Sequence, residues 1–304
     1  MLDVFLNVIL PTFLVAAIAA AFQRWRKVSI APLNQVMLYI LAPALIFTSL
    51  VQQEMPASVS GRIVAAMLLA TAFVLVASTI ISRWLRHDRA MRSAFMLSTG
   101  FPNSGNMALP ILLLAFGQPG LTVGIIVFVT QAITGQSLGI FIAARSQMSG
   151  LAPLRQVFRL PAIYAISAAL LVRLLGIDLP FTISRPVEML SQAAIPAMLV
   201  VLGLQLGTGF GLDSPPSLVA ALTVRLLLSA PLAYLATVLV GLSGLSQSVV
   251  IIVSAMPVAV FTTILAAEFK AGPKFVTSVV IASTFLSVFT LTVIISAVKA
   301  FIGV

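Results

Sequence analysis

Ten apolar stretches, each about long enough to cross a bilayer, follow one another along this chain with almost no polar sequence between them. They cover residues 2–22, 32–51, 62–82, 91–116, 121–144, 157–176, 184–208, 216–241, 247–269 and 274–302. A helix needs about 20 mostly apolar residues to span the hydrocarbon core. No soluble domain fits into the connections, and even the loop around 145–156 is too short to fold alone. Charged residues make up 8% of the chain and the mean hydropathy is +1.17. A soluble protein carries roughly 25% charged residues. The sequence is therefore read as an all-α polytopic membrane protein with ten transmembrane helices.

Composition also removes whole classes of chemistry. There is no cysteine, hence no disulfide and no thiolate or cysteine-ligated metal site. The one histidine, His87, lies in a run of charges beside Asp88 and reads as part of a solvated interfacial pair. Histidine-metal chemistry and a conventional catalytic triad lack their parts. No Gly-rich phosphate loop, paired carboxylate site or HExxH motif appears, so no enzyme, cofactor or metal is expected.

The net charge of +10 reads as the positive-inside rule rather than as affinity for nucleic acid. With ten spans, one side collects Arg24, Arg26, Lys27, Arg83, Arg86, Arg89, Arg92, Arg145, Arg155, Arg159, Lys270 and Lys274. The other has only Arg62, Arg173, Arg185 and Lys299. The rich side is expected in the cytoplasm, with both termini outside and the chain in the cell (inner) membrane. The opening "MLDVFLNVILPTFLVAAIAAAF" has Asp3 before its apolar run and its basic residues after it. A signal peptide has the reverse order, so this stretch reads as the first span.

A repeat is visible at half the chain length. A shift of 155 residues lays "STGFPNSGNMALPILLLAFG" on "VSAMPVAVFTTILAAEFKAG", with Pro102 on Pro257 and Gly117 on Gly272. A shift of 153 lays Pro43 of span two on Pro196 of span seven. Five spans per half is an odd number, so the second half enters from the opposite side. The expected organisation is a first five-helix repeat (1–146), a cytoplasmic connection (147–156) and an inverted second repeat (157–304). Pro102 and Pro257, with Gly100 and Gly105, should break spans four and nine near the bilayer middle. Such backbone is tolerated there only inside protein or along a wet cavity, and paired breaks in inverted repeats mark secondary transporters. Pro11, Pro161 and Pro231 read as plain packing kinks.

"FPNSGNMALPILLLAFG", "SAMPVAVFTTILAAEFKAG", "LAPALIFTSL" and "VLGLQLG" resemble the auxin efflux carrier family over the whole chain. The resemblance implies a ten-helix inverted-repeat fold related to bile acid–sodium symporters. Crossing broken helices four and nine would move against a panel of spans one, two, six and seven. It implies transport of a small organic anion, such as a carboxylate or indole-type acid, with export as the usual theme. Dimerisation rests on the resemblance alone. Sodium-coupled relatives carry an acidic residue at the span-nine crossing, whereas "SAMPVAVFTT" has none. Coupling to sodium, to protons or to membrane potential is left open, as is uptake by symport. A membrane receptor that only binds the anion is a further reading.

The residues assigned to substrate are Asn103, Asn106, Ser104, Thr99, Thr262, Thr263 and Arg225. Unpaired amides are costly in hydrocarbon, so Asn103 and Asn106 either donate to an anion or satisfy the broken backbone. Ser98, Thr99 and Ser104 have the same two uses, and hydroxyls often bond their own helix. Arg225, the one charge deep in a span, is either functional or snorkels to the cytoplasm. Gln131, Gln136, Gln192 and Gln205 either join helices or line the path. Glu188 reads as interfacial with no visible partner, and Glu268 and Lys270 as facing cytoplasmic water. Glu54, Asp178 and Asp213 read as loop residues.

Overall fold

In the computed structural model, residues 1–52, 56–144, 161–207 and 214–302 are described, and every regular element among them is a helix. In chain order these are α1 (Leu2–Arg26), α2 (Ala31–Gln52), α3 (Ala57–Trp84), α4 (Arg89–Gly100) and α5 (Ser104–Ala144). Then come α6 (Pro161–Leu174), α7 (Phe181–Leu206), α8 (Pro215–Leu239), α9 (Gly244–Ser254), α10 (Phe261–Glu268) and α11 (Pro273–Ile302). The 147–156 connection, Arg145, Arg155, Arg159, Glu54 and Asp213 lie outside the described residues.

Seven of these helices are long and apolar enough to cross a membrane. The ten expected stretches outnumber them for three reasons, the first being that the described part of stretch 157–176 is α6, only 14 residues long. Stretches 91–116 and 247–269 are each cut, into α4 with the start of α5 and into α9 with α10. The first of these then shares α5 with stretch 121–144. At 41 residues a straight α5 would reach about 60 Å, but Gly117 takes a left-handed conformation, φ 63°, in its middle. A Cβ on Gly124 would lie 2.5 Å from Leu112 Cδ1 and 3.2 Å from Leu109 Cδ2. That proximity is open only to two arms folded back on each other. Gly272, the match of Gly117, is also left-handed at φ 57°, where α10 turns into α11.

Prolines set both starts and bends. α3 and α7 follow Pro56 and Pro180, and α8 and α11 begin at Pro215 and Pro273. At a first turn the missing amide hydrogen costs nothing. Inside a helix a proline ring meets the carbonyl four residues back. Pro11, Pro43, Pro110 and Pro231 are each preceded by a π-helical turn containing that residue, within Phe5–Ile9, Met37–Leu41, Ser104–Ala108 and Val224–Leu228. The wider turn relieves the clash. Pro161 stands at the edge of the described part of α6.

The helices pack in two groups. α7 lies on α1 and α2, and α6 lies on α2. In the other group α3 packs on α4, α5 and α8, α9 on α5, α8 and α11, and α11 on α4. The α1–α7 seam is the tightest: a Cβ on Gly203 would sit 2.1 Å from the Ala16 carbonyl oxygen, and one on Gly207 2.7 Å from that of Ala20. Small residues four apart on both helices let the backbones touch, the usual means of association in lipid.

Connections assigned to one side of the membrane meet in space. Arg62 donates to the Gly241 carbonyl at 3.2 Å, Arg173 to that of Leu50 at 3.4 Å, and the Lys299 ammonium lies over the Phe116 ring. At the opposite end His87 bonds Ser217, and Gly272 approaches Ala94.

Candidate functional site

The interruptions of α4/α5 and α9/α10 meet. α4 ends at Gly100, Phe101 is extended, and the helix resumes at Ser104. α9 ends at Ser254 and α10 begins at Phe261. Between them the segments pair antiparallel through one bridge, Pro102 to Val258. The Asn103 amide donates to the Pro257 carbonyl at 2.8 Å, and the Ala259 amide to that of Phe101 at 2.9 Å. The Ser283 hydroxyl of α11 accepts from the Val258 amide at 3.1 Å. The backbone exposed by two broken helices is thus satisfied within the protein. Gly100 and Gly105 leave room for Leu75 and Phe128, which a Cβ would meet at 2.6 and 2.9 Å.

A cavity of about 420 Å³ opens beside this crossing. Asn34 and Gln35 of α2, Asn103 and Asn106, Gln131 and Gln136 of α5 and Gln205 of α7 all line it. Phe128, Phe261, Met37 and Met198 form its apolar wall, and no charged residue borders it among those described. Ser104 lines it too, whereas Thr99, Thr262, Thr263 and Arg225 do not. The resumed helices begin at this cavity, at Ser104 and Phe261, so their partial positive ends border it.

Asn103 and Gln131 each hold a buried amide atom without a partner. Asn103 is 5% exposed and its Nδ2 is unbonded. Gln131 donates from Nε2 to Thr71 Oγ1 at 2.8 Å, but its Oε1 is unbonded. The Thr71 hydroxyl gives its own proton to the Met67 carbonyl, which explains why it accepts from Gln131. Buried polar atoms are almost always paired, so an orphan donor and an orphan acceptor in one cavity are what a ligand or water would complete.

The membrane transport protein family profile matches residues 4–155 and 148–295, nearly the whole chain. The chain belongs to that family. Among curated proteins it is similar to an uncharacterized transporter of Methanothermobacter thermautotrophicus, 27% identical over 263 residues. The alignment covers 85% of this chain and 86% of that one. A second uncharacterized transporter, from Methanocaldococcus jannaschii, is 22% identical over 270 residues, covering 84% and 85%. These relatives are membrane transporters, not enzymes, in line with the resemblance seen in the motifs.

The remaining sequence-assigned residues of this membrane transporter fall into place around the crossing. Thr99 donates to the Phe95 carbonyl at 2.8 Å, Thr262 to that of Ala259 at 2.7 Å, and Thr263 to that of Val260 at 2.8 Å. All three hydroxyls bond their own helix, and that of Thr99 also meets Ser78 Oγ of α3 at 2.7 Å. Ser98 Oγ is buried and unbonded. Gln192 is exposed, unlike the other three glutamines. Arg225 does not snorkel: it is 1% exposed and donates to the carbonyls of Thr99 and Ser254. Glu188 is not without a partner, since it pairs with Arg185 one helical turn away at 3.0 Å. Asn34, Gln35 and Phe128 were missed. The polar pair heading an otherwise apolar span was the available signal for the first two.

His87 and Asp88 also part company from the solvated pair expected of them. Asp88 caps α4 by accepting from the Met91 amide at 2.7 Å. The His87 ring is held by Ser82 and Ser217 at 3.0 and 2.9 Å, tying the α3–α4 connection to α8. Burial lowers its pKa below the usual histidine value; Asp88 opposes the shift and Arg92 adds to it. The unfolded chain then binds the extra proton more readily, so stability falls as pH drops below about 6.5. Melting of the purified protein should come earlier at about pH 5.5 than at pH 7.5, and His87→Gln should narrow that gap. An equal gap in the variant assigns the pH response elsewhere.

Proposed function

We propose that this protein is a secondary active transporter that exports a small organic anion by alternating access at the α4/α5–α9/α10 crossing. One observation carries the reading: the unpartnered Asn103 Nδ2, buried at the crossing and lining an amide-rich cavity. Two helix N-termini border the same cavity and favour an anion. A carboxylate could take hydrogen bonds from Asn103 and Asn106 while its apolar body rests on Phe128 and Phe261. The two halves form an inverted repeat, a reading supported by the matched left-handed Gly117 and Gly272 and the matched breaks at Pro102 and Pro257. The group α3–α5 with α8–α11 moves against the panel α1, α2, α6 and α7. With the arginine- and lysine-rich end in the cytoplasm of a cell membrane, the cavity opens inward. Its rim includes Ala31 at the start of α2 and Gln136 and Gln205 near the ends of α5 and α7. An inside-negative potential then favours exit of an anion by about 2.3 kcal/mol per charge per 100 mV.

Reconstituted into liposomes, the protein should show saturable flux and counterflow for a carboxylate from a screened panel, run with and without sodium and across pH. Non-saturating flux would make it a channel, and binding without flux a receptor. Orientation is tested with single cysteines placed in this cysteine-free chain. An impermeant thiol reagent should label positions at Met1 and Gly117 from outside and at Gly272 only from inside. The opposite pattern overturns the orientation and the inward-open reading.

A further inference from the structure

Arg225 lies 1% exposed inside the helix bundle, and no carboxylate pairs with it among the described residues. A buried charge without compensation is strongly unfavourable. Its compensation comes from backbone. Nη1 donates to the Thr99 carbonyl at 2.6 Å and Nη2 to the Ser254 carbonyl. Thr99 and Ser254 are the same position of the two halves, since the shift that lays Pro102 on Pro257 lays one on the other. Each lies in the last turn of its half-helix, α4 or α9, where carbonyls have no partner within the helix. A helix C-terminus carries about half a negative charge, so two together match one guanidinium. The crossing is therefore sorted by sign: positive helix ends border the cavity, and negative ends close on Arg225.

We propose that the two half-helix C-termini form a monovalent-cation site whose occupant is built in, the Arg225 guanidinium standing where a free cation would otherwise bind. Arginine suits the task because its planar fork reaches two acceptors at once and stays charged. It projects from the π-helical turn Val224–Leu228 of α8. The side chain thereby fastens α8 to the crossing, and this arrangement does not depend on which solute the protein carries.

Cutting the side chain back should convert the site into one that takes a cation from solution. In detergent, Arg225→Ala is expected to melt well below the parent. Guanidinium or sodium at millimolar concentration should restore its stability in a saturable way, following ligand mass action. Choline at equal ionic strength should not, and the parent should respond to none of the three. Arg225→Leu, which fills the space with an apolar group, should melt low and resist rescue. No response of Arg225→Ala to any small cation, an equal response to choline, or the same response in the parent overturns the proposal. If Arg225→Ala cannot be purified, Arg225→Lys decides. Melting near the parent supports a cation requirement, and melting as low as Arg225→Leu refutes it.

Discussion

Asn103→Ala is expected to weaken substrate binding roughly ten- to a hundredfold while leaving a folded, monodisperse protein. The size follows from losing one hydrogen bond to a charged group, about 1.5–3 kcal/mol. The variant should fold because the structural work of Asn103 is done by its main chain. Its amide donates to Pro257 and its carbonyl accepts from Ala108, and alanine keeps both. The Nδ2 atom has no partner to lose. Asn106→Ala, one turn further into the resumed helix, should show an effect of the same kind. Binding can be followed by calorimetry or by the half-saturation of counterflow. If both variants bind and transport like the parent, the amides serve only the broken helix, and the anion site lies elsewhere in the cavity.

Gly203→Leu should have a larger effect of a different kind, loss of folded protein. Overpacking usually costs about 1–3 kcal/mol, because side chains can shift. Here the first added carbon would stand 2.1 Å from the Ala16 carbonyl oxygen and 2.6 Å from Ala19 Cβ. Backbone cannot rotate out of the way, so α1 and α7 would have to separate along the seam. Gly203→Ala already introduces that carbon and should itself lower the melting temperature by several degrees. Gly61→Ala, where nothing lies within 4 Å, is the matched control and should be neutral. A Gly203→Leu protein that elutes and melts like the parent would mean that α1 and α7 do not touch at Gly203.

The outline of the fold was legible because lipid imposes one rule, the internal satisfaction of backbone polar groups. Apolar length, proline position and the shift matching Pro102 to Pro257 carried the helices and the meeting of the two breaks. Asn103 and Asn106 were legible as polar residues beside a break. Side-chain partnerships were not. Thr99, Thr262 and Thr263 looked like cavity residues by position, but a hydroxyl can turn back onto its own helix, and only the rotamer tells. Arg225 was visible as a buried charge, yet its acceptors are carbonyls 126 and 29 residues away, which side-chain identities do not record. The Asn34–Gln35 contribution depends on how α2 leans over the crossing, a matter of packing rather than pattern.

The glycine seam has a consequence for how the chain is made. Ala16 and Gly203 stand nearly two-thirds of the chain apart, so α1 must wait for α7 to be synthesised before its tightest neighbour exists. At roughly 5–20 residues per second that wait lasts about ten to forty seconds. Meanwhile α1 stands in the bilayer with its small-residue face open to lipid or to another copy's α7. The panel is thus closed late, by a segment from the second half. A nascent chain arrested before residue 203 should hold α1 inserted but unlocked, a state readable as cross-linking of Ala16 to lipid that disappears once α7 is released.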